Sequence, residues 1–359
     1  MRISFPALRI GNLEITKPII QDGMGVGVSM AGLASAVANA GGMGVISSVG
    51  LGSLDQNLNK LYSFREANKI ALRNEIRKAK SMTNGAIGVN IMLALTDCDD
   101  HIEVAIQEKA DAVIMGAGLP LGHSKIFSKD AFKTIGTKFI PKVSSARATQ
   151  LIFRYWARKY QHIPDAVIVE GPLAGGHLGF SKSQIEDPAY ALEKIVPEVI
   201  TTVAPFSEEF NKKIPIIAAG GIYDAADIRK FFELGAQGVA LGTRFVATNE
   251  CDIDDKFKQL YINCKQEDII IIDSPVGLPG RAIRNKFLDD VQSGMKKPFK
   301  CSWKCLQTCD FEKTPYCVAS ALVHAKVGDF SEGFAFAGAN AYRVDKIITV
   351  KELFKELLE

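Results

Sequence analysis

The stretch Pro215–Phe245, PIIAAGGIYDAADIRKFFELGAQGVALGTRF, reads as one complete strand–helix–strand unit. The apolar run Ile216-Ile217-Ala218-Ala219 has strand length and stops at Gly220-Gly221. Asp224 then caps a helix, Asp227 favours its dipole, and Ile228, Phe231 and Phe232 form one apolar face. Gly235 suits the left-handed position just past the helix end. A second apolar run, 238–241, follows and stops at Gly242-Thr243. Both ends of this helix, and the strands on either side, are therefore specified locally.

The same alternation runs outward through the chain. Strands are expected at 17–21, 43–47, 86–91, 112–115, 139–143, 166–170, 215–219 and 238–241. Helical stretches lie between them at 30–40, 64–81, 102–109, 128–135, 146–160, 188–203 and 224–234. Eight alternations closing by residue 245 predict an α/β fold, a (β/α)8 TIM barrel with inserted and C-terminal helical segments. An open doubly wound sheet would need a G-x-G-x-x-G after its first strand. GMGVGVS, 23–29, lacks that spacing, and no acidic residue follows strand two as the dinucleotide fingerprint requires. Residues 1–285 are assigned to the barrel and 286–359 to a helical, cysteine-containing appendage packing on it.

Composition narrows the function classes. The 359 residues are 47% hydrophobic and 23% charged, which suits a globular enzyme with a large core. A formal charge of +3, spread along the chain, gives no basic stripe for nucleic acid. No apolar stretch is long enough for a membrane span, and the N-terminal residues lack an uninterrupted apolar h-region, so a cytoplasmic location is expected. Seven cysteines without a signal peptide read as reduced thiols. A homodimer is the default assembly.

Chemistry is expected where strands end in glycine. In β/α barrels the loops after strands seven and eight commonly hold a phosphate on unpaired amides, which here means Gly220, Gly221, Gly242 and Thr243, the last adding a hydroxyl. After strand six comes GPLAGGHLGF, 171–180. Gly175 and Gly176 carry no Cβ and admit a flat ligand closely. His177 is then either an acid/base group at a strand end or a histidine that only bonds within its loop.

Taken together, PIIQDGMGVGVS (18–29), GVNIML (88–93), GPLAGGHLG (171–179), AAGGI (218–222) and LGTRF (241–245) resemble the nitronate monooxygenases, formerly 2-nitropropane dioxygenases. These are FMN-dependent barrels, closely similar to the flavin-dependent enoyl-acyl-carrier-protein reductases, and the resemblance spans roughly residues 5 to 285. It implies FMN as cofactor, with Gly23 and Met24 against the ring system and Asn90 hydrogen-bonded to it. Lys142 would be a cation beside the ring. Gly175 and Gly176 would contact the cofactor by main chain, with Gly220, Gly221, Gly242 and Thr243 on its phosphate. His177 would face the substrate as acid/base. The implied reaction is oxidation of alkyl nitronates by O2 to carbonyl compounds and nitrite. Reduction of an enoyl thioester, or of a quinone or flavin, by NAD(P)H uses the same parts. Many relatives place an acidic residue just before AGGH; here Pro172-Leu173 makes that approach apolar, which suits an acyl or alkyl substrate.

C-terminal to the barrel, Cys301, Cys305 and Cys309 recur every fourth residue, so on a helix they would share a face, with Cys317 beyond its end. They are free packed thiols or, in the rarer case, metal ligands; their spacing matches neither zinc ribbons nor ferredoxins. Cys98, Cys251 and Cys264 read as core. The glycine-rich segment 333–346 is a candidate lid, bringing Tyr342 or Arg343 to the ligand. The turn-rich 274–284 would border the site, with Arg281 meeting an anionic group. His101, His123, His162 and His324 lack a glycine frame and read as surface or structural. The charged stretch 69–80 reads as a solvated helix face.

Overall fold

In the computed structural model, which describes residues 5–122, 126–295, 301 and 303–359, eight parallel strands close into a barrel. They are β1 (Ile19–Gln21), β2 (Met43–Ser47), β3 (Ala86–Met92), β4 (Ala112–Gly116), β5 (Lys138–Val143), β6 (Val167–Glu170), β7 (Ile216–Ala219) and β8 (Gly238–Leu241). Each pairs with its sequence neighbour, and β8 pairs with β1 to complete the ring. The period-two alternation of side chains divides each strand between two cores. Ile20, Val45, Ile114, Ile140, Ile168 and Ile217 fill the interior, together with Leu8, Ile10 and Ile15 from the N-terminal hairpin Leu8–Ile10 and Leu13–Ile15. Ile19, Ile46, Val89, Val113, Val167 and Val239 face outward under the helices.

The helical ring includes α1 (Ala31–Asn39), α2 (Phe64–Met82), α3 (Cys98–Gln107), α4 (Ala146–Tyr160), α5 (Leu192–Glu209) and α6 (Ala225–Glu233). Ser145 caps α4 through Ala148 N–H at 3.2 Å, and Asp224 caps α6 through Ala226 and Asp227 N–H at 3.1 Å each. Three expected helices have different bounds. α3 begins at Cys98, four residues early, with Asp99 and Asp100 in its first turn favouring its dipole. The stretch expected at 128–135 shrinks to Ala131–Thr134. The stretch at 188–203 splits at Ala191, whose extended ψ of 142° separates a single turn, Pro188–Tyr190, from α5, which then continues through Pro205. Asp224→Ala removes a cap and the ion pair to Arg343; it should cost about 1 kcal/mol in thermal unfolding.

Beyond β8 the chain leaves the ring and returns. Its final helix α7 (Val350–Leu358) packs against α1 and α6, with buried Leu353, Phe354 and Leu357 toward the barrel. Between lies an antiparallel ribbon, Ile269–Asp273 with Pro279–Ile283, whose second strand also pairs with Gly176-His177. Among the described residues no helix is long and apolar enough to cross a membrane.

The cysteine segment is not helical where it is described. Lys304 adopts a left-handed φ of 46°, and Leu306 bridges Leu95 in the loop after β3, so the expected shared face does not form. All seven cysteines are free; Cys98, Cys251, Cys264 and Cys305 are buried, and among the described residues no cluster of His, Cys, Asp or Glu is arranged to hold a metal.

Candidate active site

At the C-terminal end of the strands lies a cavity of about 240 Å³. Gly23, Met24, Asn90, Lys142, Gly175, Gly176, His177, Gly220, Gly221, Gly242 and Thr243 all line it. The folding reason is that each residue ends a strand or follows one, so closing the ring brings every loop to the same mouth.

His177 is held from two sides. Main-chain pairing places Gly176 opposite Arg281 and His177 opposite Gly280. Nε2 meets Ser274 Oγ at 2.6 Å, and the Phe336 ring packs edge-on with centroids 4.9 Å apart. Burial pushes the imidazole down to about 4, so at neutral pH it is uncharged and able to accept a proton. Two outcomes follow. The acid limb of any turnover that needs neutral His177 should lie near pH 4, below the ordinary imidazole range, in a pH–rate profile. Because the unfolded chain protonates this residue first, its contribution to stability is complete above about pH 6.5 and is lost as pH falls toward 4. Ser274→Ala, which frees Nε2, should lower kcat by up to about tenfold with cofactor retained.

Lys142 is already partnered. Its Nζ lies 2.5 Å from Asp22 Oδ2 and 3.0 Å from Glu170 Oε1. Burial opposes its charge, but the two carboxylates outweigh that and raise it. Asp22 and Glu170 stand out only after the barrel closes, although both sit at strand ends, the rule that selected Lys142. Ser274 and Phe336 lie in the two segments, 274–284 and 333–346, expected to border the site; what pattern reading leaves out is their contact with His177, which is set by the ribbon and the C-terminal segment.

Arg281 does not line the cavity: buried, it donates to the carbonyls of Pro172 and Ala174 at 2.6 Å each and so fixes the loop that carries Gly175. Nor do Tyr342 and Arg343 line the cavity; Arg343 pairs with Asp224 and stacks on Tyr223. The 333–346 segment nevertheless borders the site through Phe336, Ala337 and Gly338. His101 is fully buried between Ser48 and Asp97, His162 stacks on Phe132, and His324 pairs with Asp329. His123 lies outside the described residues.

The donor set fits a flat, phosphate-bearing cofactor. Ser47 Oγ is buried in the cavity wall with no partner among the described residues, and Asn90, whose side chain has no hydrogen bond among the described residues, lines the same cavity. Among the described residues, the amides of Gly220, Gly221, Gly242 and Thr243 enter no turn or loop hydrogen bond. Thr243 Oγ1 accepts from Gly338 N–H at 3.0 Å, which leaves its own proton to donate. A Cβ built on Gly176 meets nothing within 4 Å, so that backbone faces open cavity.

Comparison with known proteins agrees with the barrel fold. The family model described as nitronate monooxygenase matches residues 7–359. FabK from Thermotoga maritima is 30% identical with a TM-score of 0.72, over 96% of this chain and 92% of that one. A (3aS,4S,5R,7aS)-5-hydroxy-7a-methyl-1-oxo-octahydro-1H-indene-4-carboxyl-CoA dehydrogenase from Mycobacterium tuberculosis is 29% identical over 82% of this chain and 70% of its own length. A probable nitronate monooxygenase from Staphylococcus aureus is 26% identical over 78% of each chain.

Proposed function

The chain belongs to the nitronate monooxygenase family, and from that premise we propose that it is an FMN-dependent oxidoreductase whose substrate places an uncharged acyl chain in the cavity, reduced at an enoyl thioester by NAD(P)H. FMN would supply hydride transfer. Asn90 and Ser47 would bind the ring, Gly176 would let it lie close while Gly175 gives room to the Ala337-Gly338 backbone, and the loops after β7 and β8 would anchor the phosphate.

The observation that carries this choice is the charge balance of the cavity. Its cation, Lys142, is compensated by Asp22 and Glu170, and His177 is neutral, so an anionic nitronate finds no net positive charge there. Leu173, Phe257, Leu322 and Phe336 add apolar surface to the cavity lining, Phe336 directly against His177, which suits an acyl group. The CoA thioester in the mycobacterial relative's name points the same way.

A second reading keeps nitronate chemistry. A neutral imidazole at pH 7 can take a proton from an uncharged nitroalkane, and His177 is in that form. Anaerobic mixing of the FMN-loaded protein with NADH, NADPH, nitroethane and ethyl nitronate decides between them. Bleaching of the flavin by a nicotinamide, reversed by a crotonyl thioester, is expected. Inertness to both nicotinamides with bleaching by a nitro compound would overturn the reductase in favour of the second reading.

A further inference from the structure

The cavity floor is a charged bridge. β1 and β5 stand opposite each other in the ring, so the pair between Asp22, at the end of β1, and Lys142 crosses the barrel mouth. Glu170, at the end of the adjacent β6, holds the other side of the ammonium.

The two carboxyl groups are not equivalent. Asp22 engages both oxygens, Oδ2 on Lys142 and Oδ1 on Gly23 N–H at 2.9 Å. Glu170 spends only Oε1; Oε2 has no partner among the described residues, and the side chain lines the cavity. Of two largely buried carboxyl groups near one another, the one with the unengaged oxygen is where a proton goes. Burial pushes Glu170 up, and Asp22 adds to this, against the attraction of Lys142. The other ionisable side chains lining the cavity do not compete near neutral pH. His177 is uncharged, burial pushes Tyr261 up while its hydroxyl is given to the Phe336 carbonyl, and Lys142 holds its proton.

We propose that Glu170 is a redox-linked proton site, which takes up one proton when negative charge is placed on the ring bound over this floor and releases it when that charge leaves. The inference rests on FMN occupying the cavity. A hydride passed from NAD(P)H to neutral FMN brings one proton and two electrons, hence one negative charge. Glu170 carboxylate then accepts one proton from solvent, the floor goes from a net charge of −1 to zero, and the charge of the whole site is unchanged. When the hydride departs to the substrate, Glu170 returns its proton. The triad thus offsets what would otherwise be an uncompensated charge in a desolvated cavity.

The test is a spectroelectrochemical titration of FMN-loaded wild type, E170Q and D22N across pH. One proton linked to a two-electron couple tilts the potential by about 30 mV per pH unit. The wild type should carry one such increment more than E170Q over the range where Glu170 titrates. D22N should move that range to lower pH, because Asp22 raises Glu170. Reduced-minus-oxidised infrared spectra should show a carboxylic acid carbonyl band gained on reduction and missing from E170Q. Equal slopes in wild type and E170Q with FMN bound, or no such band in wild type, would overturn the proposal and leave the cofactor reading intact. A protein that takes up no FMN would overturn the reading and the proposal together. Should E170Q not fold, an unmoved range in D22N is the overturning result.

Discussion

Replacing His177 by alanine is expected to lower kcat by about 10²- to 10⁴-fold, the usual contribution of a positioned proton-transfer group, while FMN remains bound. The separation of these effects follows from the way the loop is built. The backbone of Gly175 and Gly176, which would face the cofactor, is fixed by Arg281 through Pro172 and Ala174 and by ribbon pairing, none of which uses the imidazole. What the substitution removes is a desolvated neutral base held 2.6 Å from Ser274 Oγ. His177→Gln is the sharper variant, because its amide keeps a hydrogen bond to Ser274 but cannot relay a proton at neutral pH. Stopped-flow reduction by NAD(P)H, flavin absorbance and steady-state turnover on the same samples check the prediction. If His177→Gln turns over at the wild-type rate, the residue only positions the loop.

The barrel was legible in sequence because its information is local. Nearly every strand is an apolar run followed by glycine or a small residue, and α6 carries its own cap in Asp224 and its own stop in Gly235. The glycine loops were legible for the same reason, and the family resemblance added Asn90 and Lys142, whose side chains reach the same mouth. What sequence reading left out depends on closure. Asp22 and Lys142 sit 120 residues apart, and nothing near either reveals that they face one another until β8 pairs with β1. Ser274 reaches His177 because a ribbon from beyond the barrel pairs with Gly176-His177, a contact set by cross-strand register. Arg281 shows the opposite error. An arginine in a turn-rich stretch suggested an anion, yet its guanidinium is used on two main-chain carbonyls. The cysteine helix failed for a similar reason: a regular spacing was read as helical periodicity where docking on the loop after β3 and a left-handed Lys304 decide the backbone.

Gly23→Ala should abolish tight FMN binding, weakening it by at least about 100-fold, in a protein that still folds. A Cβ at residue 23 would fall 2.2 Å from Asn90 Cβ and 2.8 Å from Asn90 Cγ. Such an overlap cannot be relieved by rotating a side chain, because Cβ is fixed to the backbone. Asn90 cannot retreat either: its main chain is paired with Ser47 and Ile114 in β3, and its carbonyl accepts from Ser48 N–H at 3.0 Å. The 22–24 loop must therefore shift, and Asp22 and Met24 leave their places with it. The barrel core lies below this loop and keeps its packing, so circular dichroism should be near wild type. Asn90→Gly alone should cost up to about tenfold in affinity, one hydrogen bond's worth, since it removes the amide without moving the loop. The double variant should then bind FMN about as well as Asn90→Gly and better than Gly23→Ala, a non-additivity that marks a steric cause. Fluorescence titration of FMN into the four apoproteins measures this directly. Wild-type affinity in Gly23→Ala would mean that the ring does not lie against this loop, and strictly additive losses would mean that Gly23 acts by some route other than contact with Asn90.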